Sequence, residues 1–209
     1  MAALFLSLDG LDGTGKSTQM RMLVDWLRAQ GHDVVACVDP GGTALGAELR
    51  DILLSHRDKT VTPAPACEAL LFMASRAQLI AEVIRPALDA GRIVVSDRFL
   101  LATVVYQGYA GSLSPDLLWQ VGQLATSGLE PDLTIVLDLP VEVAQKRRGR
   151  PADRMESRPM EYHERVRQGF LTEARRRPER IHLVDASGVP DDVQSAIRRE
   201  VGSLLRQGG

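Results

Sequence analysis

The sequence predicts an α/β fold of three layers, in which a five-stranded parallel sheet is covered by helices on both faces. Two observations lead to this prediction. Short runs rich in Val, Ile and Leu alternate along the chain with longer helix-like runs, as in proteins built from βαβ units. The runs Ile93–Val95 and Thr134–Leu137 are almost wholly apolar, as strands buried on both faces require. The 209 residues show no repeat or linker, so a single domain is predicted over residues 1–209.

The boundaries of the predicted elements follow from turn and cap residues. Strands are predicted at Leu4–Asp9, Asp33–Val38, Arg92–Asp97, Leu133–Asp138 and Arg180–Val184. Helices are predicted at Ser17–Ala29, Ala44–Leu54, Ala66–Asp89, Pro115–Ser127, Val141–Arg148, Met160–Arg176 and Pro190–Arg206. Gly31 and Gly91 follow helices as C-terminal stops, and Ser114 is an N-cap before a proline in the first turn.

The composition excludes several classes of protein. Hydrophobic residues make up 44% of the chain and charged residues 25%, with a net charge of −2, which is not the balance of a basic nucleic-acid binder. No apolar run approaches the length of a membrane span, and the N-terminus lacks the pattern of a cleaved signal. Cys37 and Cys67 lie far apart without metal-ligand spacing. We therefore expect a cytoplasmic enzyme without nucleic-acid or membrane partners.

The segment Gly10–Ser17 is the most specific motif, because it fits G-x-x-x-x-G-K-[ST] without a mismatch. A predicted strand precedes it and a predicted helix follows, which is the context of a P-loop. Backbone amides of such a turn and the helix N-terminus bind phosphates. Lys16 is expected to reach the β- and γ-phosphates, and the Ser17 hydroxyl to bind Mg²⁺. The motif predicts a nucleoside triphosphate site and leaves the use of the phosphate open.

Other polar residues follow the predicted strands at the same edge of the sheet. Asp39–Thr43 (DPGGT) comes after the second strand, and Ser96–Arg98 ends the third. In open α/β sheets ligands bind at this carboxyl edge. Asp97 is a candidate to hold Mg²⁺ through water, while Arg98 and Arg50 are candidates to bind a second phosphate. A local ion pair remains the alternative for Asp97 and Arg98.

Phe72 and Arg76 lie four residues apart in the long predicted helix, so they share one face. A ring beside a guanidinium is able to stack on a nucleobase and donate to its carbonyl edge. Spacing alone favours a different interpretation, with Phe72 in the core and Arg76 in solvent.

Residues 146–158 (KRRGRPADRMESR) are strongly basic, with six basic and two acidic residues, a local balance of +4. Gly149 and Pro151 interrupt helical continuity. Such a segment is usually a solvated connection between helices. Beside a P-loop it is also what a phosphoryl-transfer enzyme needs as a mobile flap over its anionic substrates. We expect a flexible lid at about residues 147–158.

Taken together, these motifs make the chain similar to the thymidylate kinase family of P-loop nucleoside monophosphate kinases. The resemblance covers almost the whole chain. It rests on Gly10–Thr18, Asp39–Thr43, Leu71-Phe72 with Arg76, Ser96–Arg98, Tyr106–Gly108 and Asp153–Glu156, in the family's order. The resemblance implies transfer of the γ-phosphate of ATP to dTMP, giving dTDP for dTTP biosynthesis, with Mg²⁺ as cofactor. It also implies a homodimer through the apolar faces of helices such as Ala66–Asp89.

The resemblance assigns roles position by position. ATP would be bound by Gly10, Leu11, Asp12, Gly13, Thr14, Gly15, Lys16, Ser17 and Thr18, and the metal by Ser17 and Asp97. Arg50 and Arg98 would clamp the acceptor phosphate, Phe72 would stack on thymine, and Arg76 would donate to a thymine carbonyl. Tyr106 would lie against the sugar and exclude a 2′-hydroxyl, Gln107 would line the same pocket, and Asp12 would lie near the 3′-hydroxyl or the metal. The implied catalytic residues are Asp12, Lys16, Arg98, Arg148, Arg150 and Arg154.

Gly13 is informative within this resemblance. Some family members have a catalytic arginine just after the P-loop aspartate, where this chain has Gly13. The chain thus resembles the bacterial type with a basic lid, and Arg148, Arg150 and Arg154 are the candidates for the missing charge. The loop Val184–Ser187 resembles the stretch that passes near the adenine.

The chain departs from the family's usual pattern at three positions, with Asp9 for Glu, Phe99 for Tyr and Ala102 for Ser. Thr103, next to Ala102, is a candidate contact to the thymine edge. These changes affect base selectivity more than the type of reaction. Two alternatives stay open: another small-molecule P-loop kinase, and a P-loop switch or ATPase. The second would lack a clamp for an acceptor phosphate.

Overall fold

A computed structural model of the chain describes residues 3–54, 63–148 and 153–207. Its centre is a sheet of parallel strands: β1 (Leu4–Gly10), β2 (Val34–Val38), β3 (Ile93–Asp97), β4 (Leu133–Asp138) and β5 (Ile181–Asp185). The strand order is β2-β3-β1-β4-β5. The predicted α/β class with a five-stranded parallel sheet is confirmed.

Helices pack on both faces of this sheet. The α-helices of the described residues are α1 (Lys16–Ala29), α2 (Ala44–Leu54), α3 (Pro65–Leu79), α4 (Arg85–Asp89), α5 (Leu100–Thr103), α6 (Pro115–Thr126), α7 (Val141–Arg147), α8 (Met160–Arg176) and α9 (Pro190–Gln207). A π-helical turn, Ile80–Ile84, joins α3 to α4, and a second, Val104–Tyr109, continues α5. The bounds agree with the predicted ones to within one or two residues for most elements.

The two faces of the central strand separate the core into two clusters. Leu6 and Leu8 of β1 are fully buried and pack with residues of α1, α8 and α9. Phe5, which precedes Leu6 in sequence, faces the opposite side and packs with α3, α6 and the turn Ile80–Ile84. Alternation along a strand directs successive side chains to opposite faces, so both faces of β1 are covered. No helix in the described ranges combines the length and apolar character that crossing a membrane requires.

The helix formed by α5 and the turn Val104–Tyr109 was not predicted. Its sequence, LLATVVYQGY, is rich in β-branched and aromatic residues, and its side chains are nearly all buried. A helix that is buried all round has no amphipathic period, so periodicity does not reveal it. This helix positions Thr103, Tyr106 and Gln107.

Glu173 of α8 is a fully buried charge that sequence reasoning missed. The Tyr109 hydroxyl donates to its Oε1 at 2.7 Å, and the Trp119 indole donates to its Oε2 at 3.1 Å. Arg176 also donates to Oε1, at 3.0 Å. This carboxylate therefore joins α8 to α6 and to the turn that contains Tyr106.

Replacing Glu173 by alanine is expected to lower the free energy of unfolding by about 2 kcal/mol, because the partly buried Tyr109 and Trp119 donors lose their acceptor. Urea denaturation measures the change. Glu161→Ala, an exposed change on the same helix, is the matched control and should stay within about 0.5 kcal/mol of the parent chain. A loss below about 1 kcal/mol for Glu173→Ala would show that the network is not stabilising.

Candidate active site

The P-loop joins the end of β1 to the start of α1, and its glycines have the backbone conformations that it requires. Gly10, Gly13 and Gly15 have φ values of 129°, 89° and 94°. A Cβ on Gly10 would lie 2.5 Å from the carbonyl oxygen of Leu137, so a side chain is also excluded by space. The loop therefore depends on glycine for its backbone conformation and, at Gly10, for its close approach to β4.

Lys16 turns back over this loop. Its Nζ donates to the carbonyl oxygens of Leu11 at 2.8 Å and Gly10 at 3.2 Å, and lies 3.5 Å from Oδ1 of Asp12. Burial and the neighbouring Arg98 lower the pKa of Lys16, while Asp12 opposes this effect. The ammonium group is thus held against the backbone of the phosphate-binding loop.

Gly13 is the point where the P-loop contacts α7. A Cβ on Gly13 would lie 2.0 Å from the carbonyl oxygen of Ala144, which lies in the middle of α7. The last residues of α7 lead directly to Arg148, which lines the same cavity as Gly13. The missing side chain thus allows the start of the basic segment to approach the phosphate-binding loop.

Asp12, Arg98 and Tyr106 form a hydrogen-bonded group between the P-loop and β3. Arg98 donates to Oδ1 of Asp12 at 2.7 Å and to the carbonyl oxygen of Gly10 at 3.1 Å. The Tyr106 hydroxyl lies 3.3 Å from Oδ2 of Asp12. Burial alone would raise the pKa of Asp12, but Arg98 and Lys16 outweigh it and hold this pKa well below its usual range. Arg98 also has a left-handed backbone with φ 68°, which is uncommon outside glycine and typical of functional sites.

Arg76 lies in the floor of the adjacent pocket, so the alternative interpretation from helical spacing alone, which places it in solvent, is wrong. Its exposed fraction is 1%. The guanidinium pairs with Asp39 through Nε and donates to Thr103 Oγ1 at 2.9 Å and to the carbonyl oxygen of Phe99 at 3.2 Å. Phe72, one turn earlier, lines the same cavity, as the nucleobase interpretation of this pair predicts. The surrounding acceptors hold the plane of the guanidinium in one orientation.

Arg50 reaches the same pocket from α2. Its Nη1 donates to the carbonyl oxygen of Pro40 at 2.7 Å, in the loop after β2. Both residues line the cavity. Arg50 and Arg98 therefore line the same cavity, as a shared site for an acceptor phosphate requires.

Ser17 and Asp97 present oxygen atoms beside the P-loop. The Ser17 hydroxyl and Oδ2 of Asp97 are 3.5 Å apart, and both residues line the cavity. A hydroxyl and a carboxylate are hard oxygen ligands of the kind that Mg²⁺ binds together with phosphate and water. The donor set thus fits the metal that the motif predicts.

Asp9, the residue before Gly10, is a fully buried acid at the base of the site. The Ser7 hydroxyl donates to its Oδ2 at 3.2 Å, and among the described residues its Oδ1 has no hydrogen-bond partner. Burial raises the pKa of Asp9 to about 6, although Arg98 and Lys16 partly oppose the rise. Asp9 is one of the positions at which the chain departs from the family's usual residue.

This pKa predicts an unusual pH dependence of stability. In the unfolded chain Asp9 ionises near pH 4, whereas in the native state it keeps its proton until about pH 6. The native state then binds more protons in this window, so the free energy of unfolding falls as pH rises through it. The free energy of unfolding of Asp9→Asn should therefore rise relative to that of the parent chain as pH increases from about 4.5 to 7. We expect this relative gain to be on the order of 2 kcal/mol. Chemical denaturation in metal-free buffer measures this difference, and a difference that does not vary with pH would contradict it.

The basic segment is described only in part, because residues 149–152, including Arg150, lie outside the described residues. Arg147 donates to the carbonyl oxygens of Ala186 and Ser187 at 2.7 and 2.9 Å, in the loop after β5. Arg154 does not line the cavity of the site: its Nε donates to the carbonyl oxygen of Leu53 at 2.7 Å, and its guanidinium pairs with Glu68. The lid candidates therefore occupy different places, with only Arg148 among the described ones at the cavity wall.

One cavity of about 510 Å³ brings the two sets of predicted residues together. It is lined on the P-loop side by Asp12, Gly13, Gly15, Lys16, Ser17, Thr18 and Asp97, and on the other by Arg50, Phe72, Arg76, Arg98, Thr103, Tyr106 and Gln107. Gly10, Leu11 and Thr14 lie behind this wall, where the Thr14 hydroxyl donates to the Leu11 carbonyl at 2.8 Å. Sequence reasoning missed Val38 and Leu54, which line the cavity without a polar signal, and it assigned no role to Asp39 and Met155, which lie within motifs that it had named.

A P-loop that faces a second cationic pocket across one cavity defines a class, the P-loop kinases that act on a small phosphorylated acceptor. A family model described as thymidylate kinase matches residues 8–197. The chain is 47% identical over 192 residues to a thymidylate kinase of Rhodopirellula baltica, covering 92% of this chain and 77% of that protein. It is 43% identical over 215 residues to a thymidylate kinase of Desulfovibrio desulfuricans, covering 99% and 98%. The chain belongs to the thymidylate kinase family.

The fold agrees with a solved member of this family. The crystal structure of thymidylate kinase from Ehrlichia chaffeensis superimposes with a TM-score of 0.78 at 27% sequence identity, over 96% of this chain and 99% of that one. The family resemblance predicted from the motifs is thereby confirmed.

Proposed function

We propose that the chain transfers the γ-phosphate of ATP to dTMP, giving dTDP and ADP, with the residue roles given below. The main support is the single cavity in which the P-loop faces Arg50 and Arg98, because transfer between two nucleotides needs both phosphates in one water-excluding space. A switch or ATPase has no use for a second phosphate clamp. The base pocket beside that clamp, with Phe72 and buried Arg76, supports a nucleotide acceptor.

On the donor side, the P-loop amides and Lys16 bind the ATP phosphates. Ser17 and Asp97 would hold Mg²⁺. When bound, the metal neutralises charge on the phosphate oxygens of ATP. The loop after β5, which Arg147 fixes through two carbonyl oxygens, borders the adenine end.

On the acceptor side, Arg98 and Arg50 bind the phosphate of dTMP, and Asp12 orients Arg98 by its short hydrogen bond. Phe72 stacks on the thymine ring and Arg76 donates to a carbonyl oxygen. Thr103 and Gln107 complete the edge of this pocket. Tyr106 packs against the sugar, where its ring leaves no room for a 2′-hydroxyl.

The chemistry requires little beyond this arrangement. A nucleoside monophosphate is largely ionised near neutral pH, so its phosphate oxygen attacks without a general base. Catalysis then consists of holding the two phosphates in line and stabilising the charge that spreads over the transferring group. We assign part of that stabilisation to Arg148, which lines the cavity beside the P-loop. Arg150 stays a candidate for the same role. Arg154 would have to break its ion pair with Glu68 to reach the transferring group.

Arg148→Ala is expected to lower kcat at least tenfold with a smaller change in the KM for dTMP, because the charge acts on the transferring group. Steady-state kinetics with both substrates varied separate the two constants. The exposed Arg175→Ala on α8 is the matched control and should leave both within twofold. A change confined to the KM for dTMP would remove Arg148 from the catalytic role.

The acceptor identity is tested by ADP release with a panel of dTMP, dUMP, dGMP and UMP. We expect release to depend on the acceptor, with dTMP the most effective and UMP poor because of Tyr106. Release that ignores added dTMP would favour an ATPase or switch. Preference for another acceptor would favour a different small-molecule kinase.

We further propose that the enzyme works as a homodimer in the cytoplasm. Leu70 of α3 and Leu117 and Leu124 of α6 are 57%, 51% and 84% exposed, on helices that pack against each other. A patch of this kind fits a second copy of the chain. Light scattering should give twice the mass of the chain, and Leu70→Glu combined with Leu124→Glu should give the monomer.

A further inference from the structure

Glu68 lies in the first turn of α3, one turn before Phe72, and its exposed fraction is 5%. A carboxylate this deeply buried needs partners for both oxygens. Gln107 Nε2 donates to Oε1 at 2.9 Å, and the guanidinium of Arg154 pairs with Oε2. Glu68 thus contacts two segments that are far away in sequence, the turn Val104–Tyr109 and the end of the basic segment.

Arg154 holds Glu68 in place. Its Nε donates to the carbonyl oxygen of Leu53 at 2.7 Å, and its backbone N–H donates to that of Leu54 at 3.4 Å, both at the end of α2. The guanidinium is therefore anchored independently of Glu68. Because a charged pair is stronger than a bond to a neutral amide, Oε2 of Glu68 stays on Arg154 and Oε1 stays directed at Gln107.

This arrangement determines the orientation of the Gln107 amide. An ionised carboxylate only accepts hydrogen bonds, so Gln107 has to turn its NH₂ group towards Glu68. The reverse orientation would place two acceptors 2.9 Å apart. Gln107 lines the cavity, and among the described residues no side chain or backbone donor is bonded to its Oε1. The amide oxygen is therefore available as an acceptor on the side of the acceptor base.

An acceptor at this position distinguishes pyrimidines. Thymine and uracil have a donor N–H at N3 beside a carbonyl oxygen at C4, whereas cytosine has an acceptor at N3 beside an amino group. Arg76 matches the carbonyl oxygen, and the Gln107 oxygen matches the N3–H. With cytosine, Arg76 would face the donor amino group and the Gln107 oxygen would face the acceptor N3. Both contacts would be mismatched, and leaving a buried polar group without a partner costs binding free energy.

On the basis of the function proposed above, we propose that Glu68 is a positioning residue for base selection. By fixing the Gln107 amide with its oxygen towards the cavity, it makes the acceptor site select pyrimidine nucleotides that have a proton on N3. Glu68 itself does not touch the substrate.

Glu68→Gln tests this proposal, because it keeps the shape and changes one oxygen into an NH₂ group. Arg154 retains the remaining oxygen, so the new NH₂ group faces Gln107 and turns its amide around. The Gln107 NH₂ group would then face the base. We expect the ratio of the dissociation constants of dCMP and dTMP to fall at least tenfold, while the ratio for dUMP and dTMP stays within twofold because both have the N3–H. Isothermal titration calorimetry without ATP measures these ratios independently of transfer.

Two further variants exclude a merely structural effect. Glu82→Gln is the matched control, since Glu82 is an exposed acid that also accepts a hydrogen bond from a glutamine, Gln78, on the preceding helical turn. Both ratios of dissociation constants should be unchanged in this variant. In Gln107→Met the dCMP-to-dTMP ratio should fall as well, and adding Glu68→Gln to it should have no further effect on the ratio.

The outcomes are distinct. A dCMP-to-dTMP ratio that is unchanged in Glu68→Gln, or an effect that persists in full in the Gln107→Met background, would overturn the proposal. Binding of dTMP in the calorimeter without transfer in the ADP assay would count against the proposed function and leave the role of Glu68 standing.

Discussion

Replacing Arg98 by alanine is expected to lower turnover by at least about 100-fold, because a charged donor is removed from the acceptor phosphate that receives the transferred group. Burial opposes the charge of Arg98, but Asp12 and its other acidic neighbours hold the pKa of the guanidinium well above its usual value. The side chain is directed at the P-loop by its bonds to Asp12 and the Gly10 carbonyl. Its backbone N–H donates to the carbonyl oxygen of Leu8 at 2.9 Å, which fixes its place at the end of β3.

Steady-state kinetics with ATP and dTMP measure this loss, and Lys16→Ala is expected to show one of the same order. Arg98→Lys should recover part of the activity, because it keeps the charge and loses the forked geometry. The control is Arg92→Ala, whose arginine precedes the same strand and pairs with Asp33 at the surface; this variant should have near-normal turnover. Near-normal turnover of Arg98→Ala would refute the assignment of the acceptor clamp.

Gly13→Ala is expected to lower kcat/KM for ATP by about two orders of magnitude or more. The new methyl group would meet the Ala144 carbonyl at 2.0 Å, so either the P-loop or α7 has to move. Movement of the loop displaces the phosphate amides, and movement of α7 displaces Arg148. A misplacement of about 1 Å is enough to cost about 100-fold in such a site.

Gly31→Ala provides the control for backbone strain. Gly31 has φ 86°, close to the value of 89° at Gly13, yet a Cβ on Gly31 would point into open space, with nothing within 4 Å. This variant should lose about 1 kcal/mol of stability and keep its activity. Gly13→Arg is expected to be inactive, because its first side-chain atom already collides with α7. Normal kinetics of Gly13→Ala would contradict the contact between the P-loop and α7.

Those parts of the site that depend on local sequence were predictable. The P-loop is specified by the spacing of Gly10, Gly15 and Lys16, and the positions of Asp97 and Arg98 followed from a strand ending at a sheet edge. The helix Leu100–Thr103 with the turn Val104–Tyr109 was missed, because full burial removes the periodicity on which a prediction depends.

Contacts between distant segments were not predictable from the sequence. Glu68 and Arg154 are 86 positions apart, and Arg76 and Asp39 are 37 apart. Helical spacing in α3 favoured a solvent-exposed Arg76, and the basic segment was interpreted as a solvated connection or a flap. Tertiary packing instead buries Arg76 and Glu68 together with their partners. Such pairs form only when distant segments come together in the folded chain, so local sequence patterns do not reveal them.

The most direct test of the account is to follow the γ-phosphate itself. ATP labelled in the γ-phosphate is incubated with the enzyme, Mg²⁺ and dTMP, and the products are separated. We predict that the label appears in dTDP in a one-to-one ratio with the ADP formed, and that little ADP forms without dTMP. Label released as inorganic phosphate at a rate that does not depend on dTMP would contradict a donor site and an acceptor site acting together in one cavity.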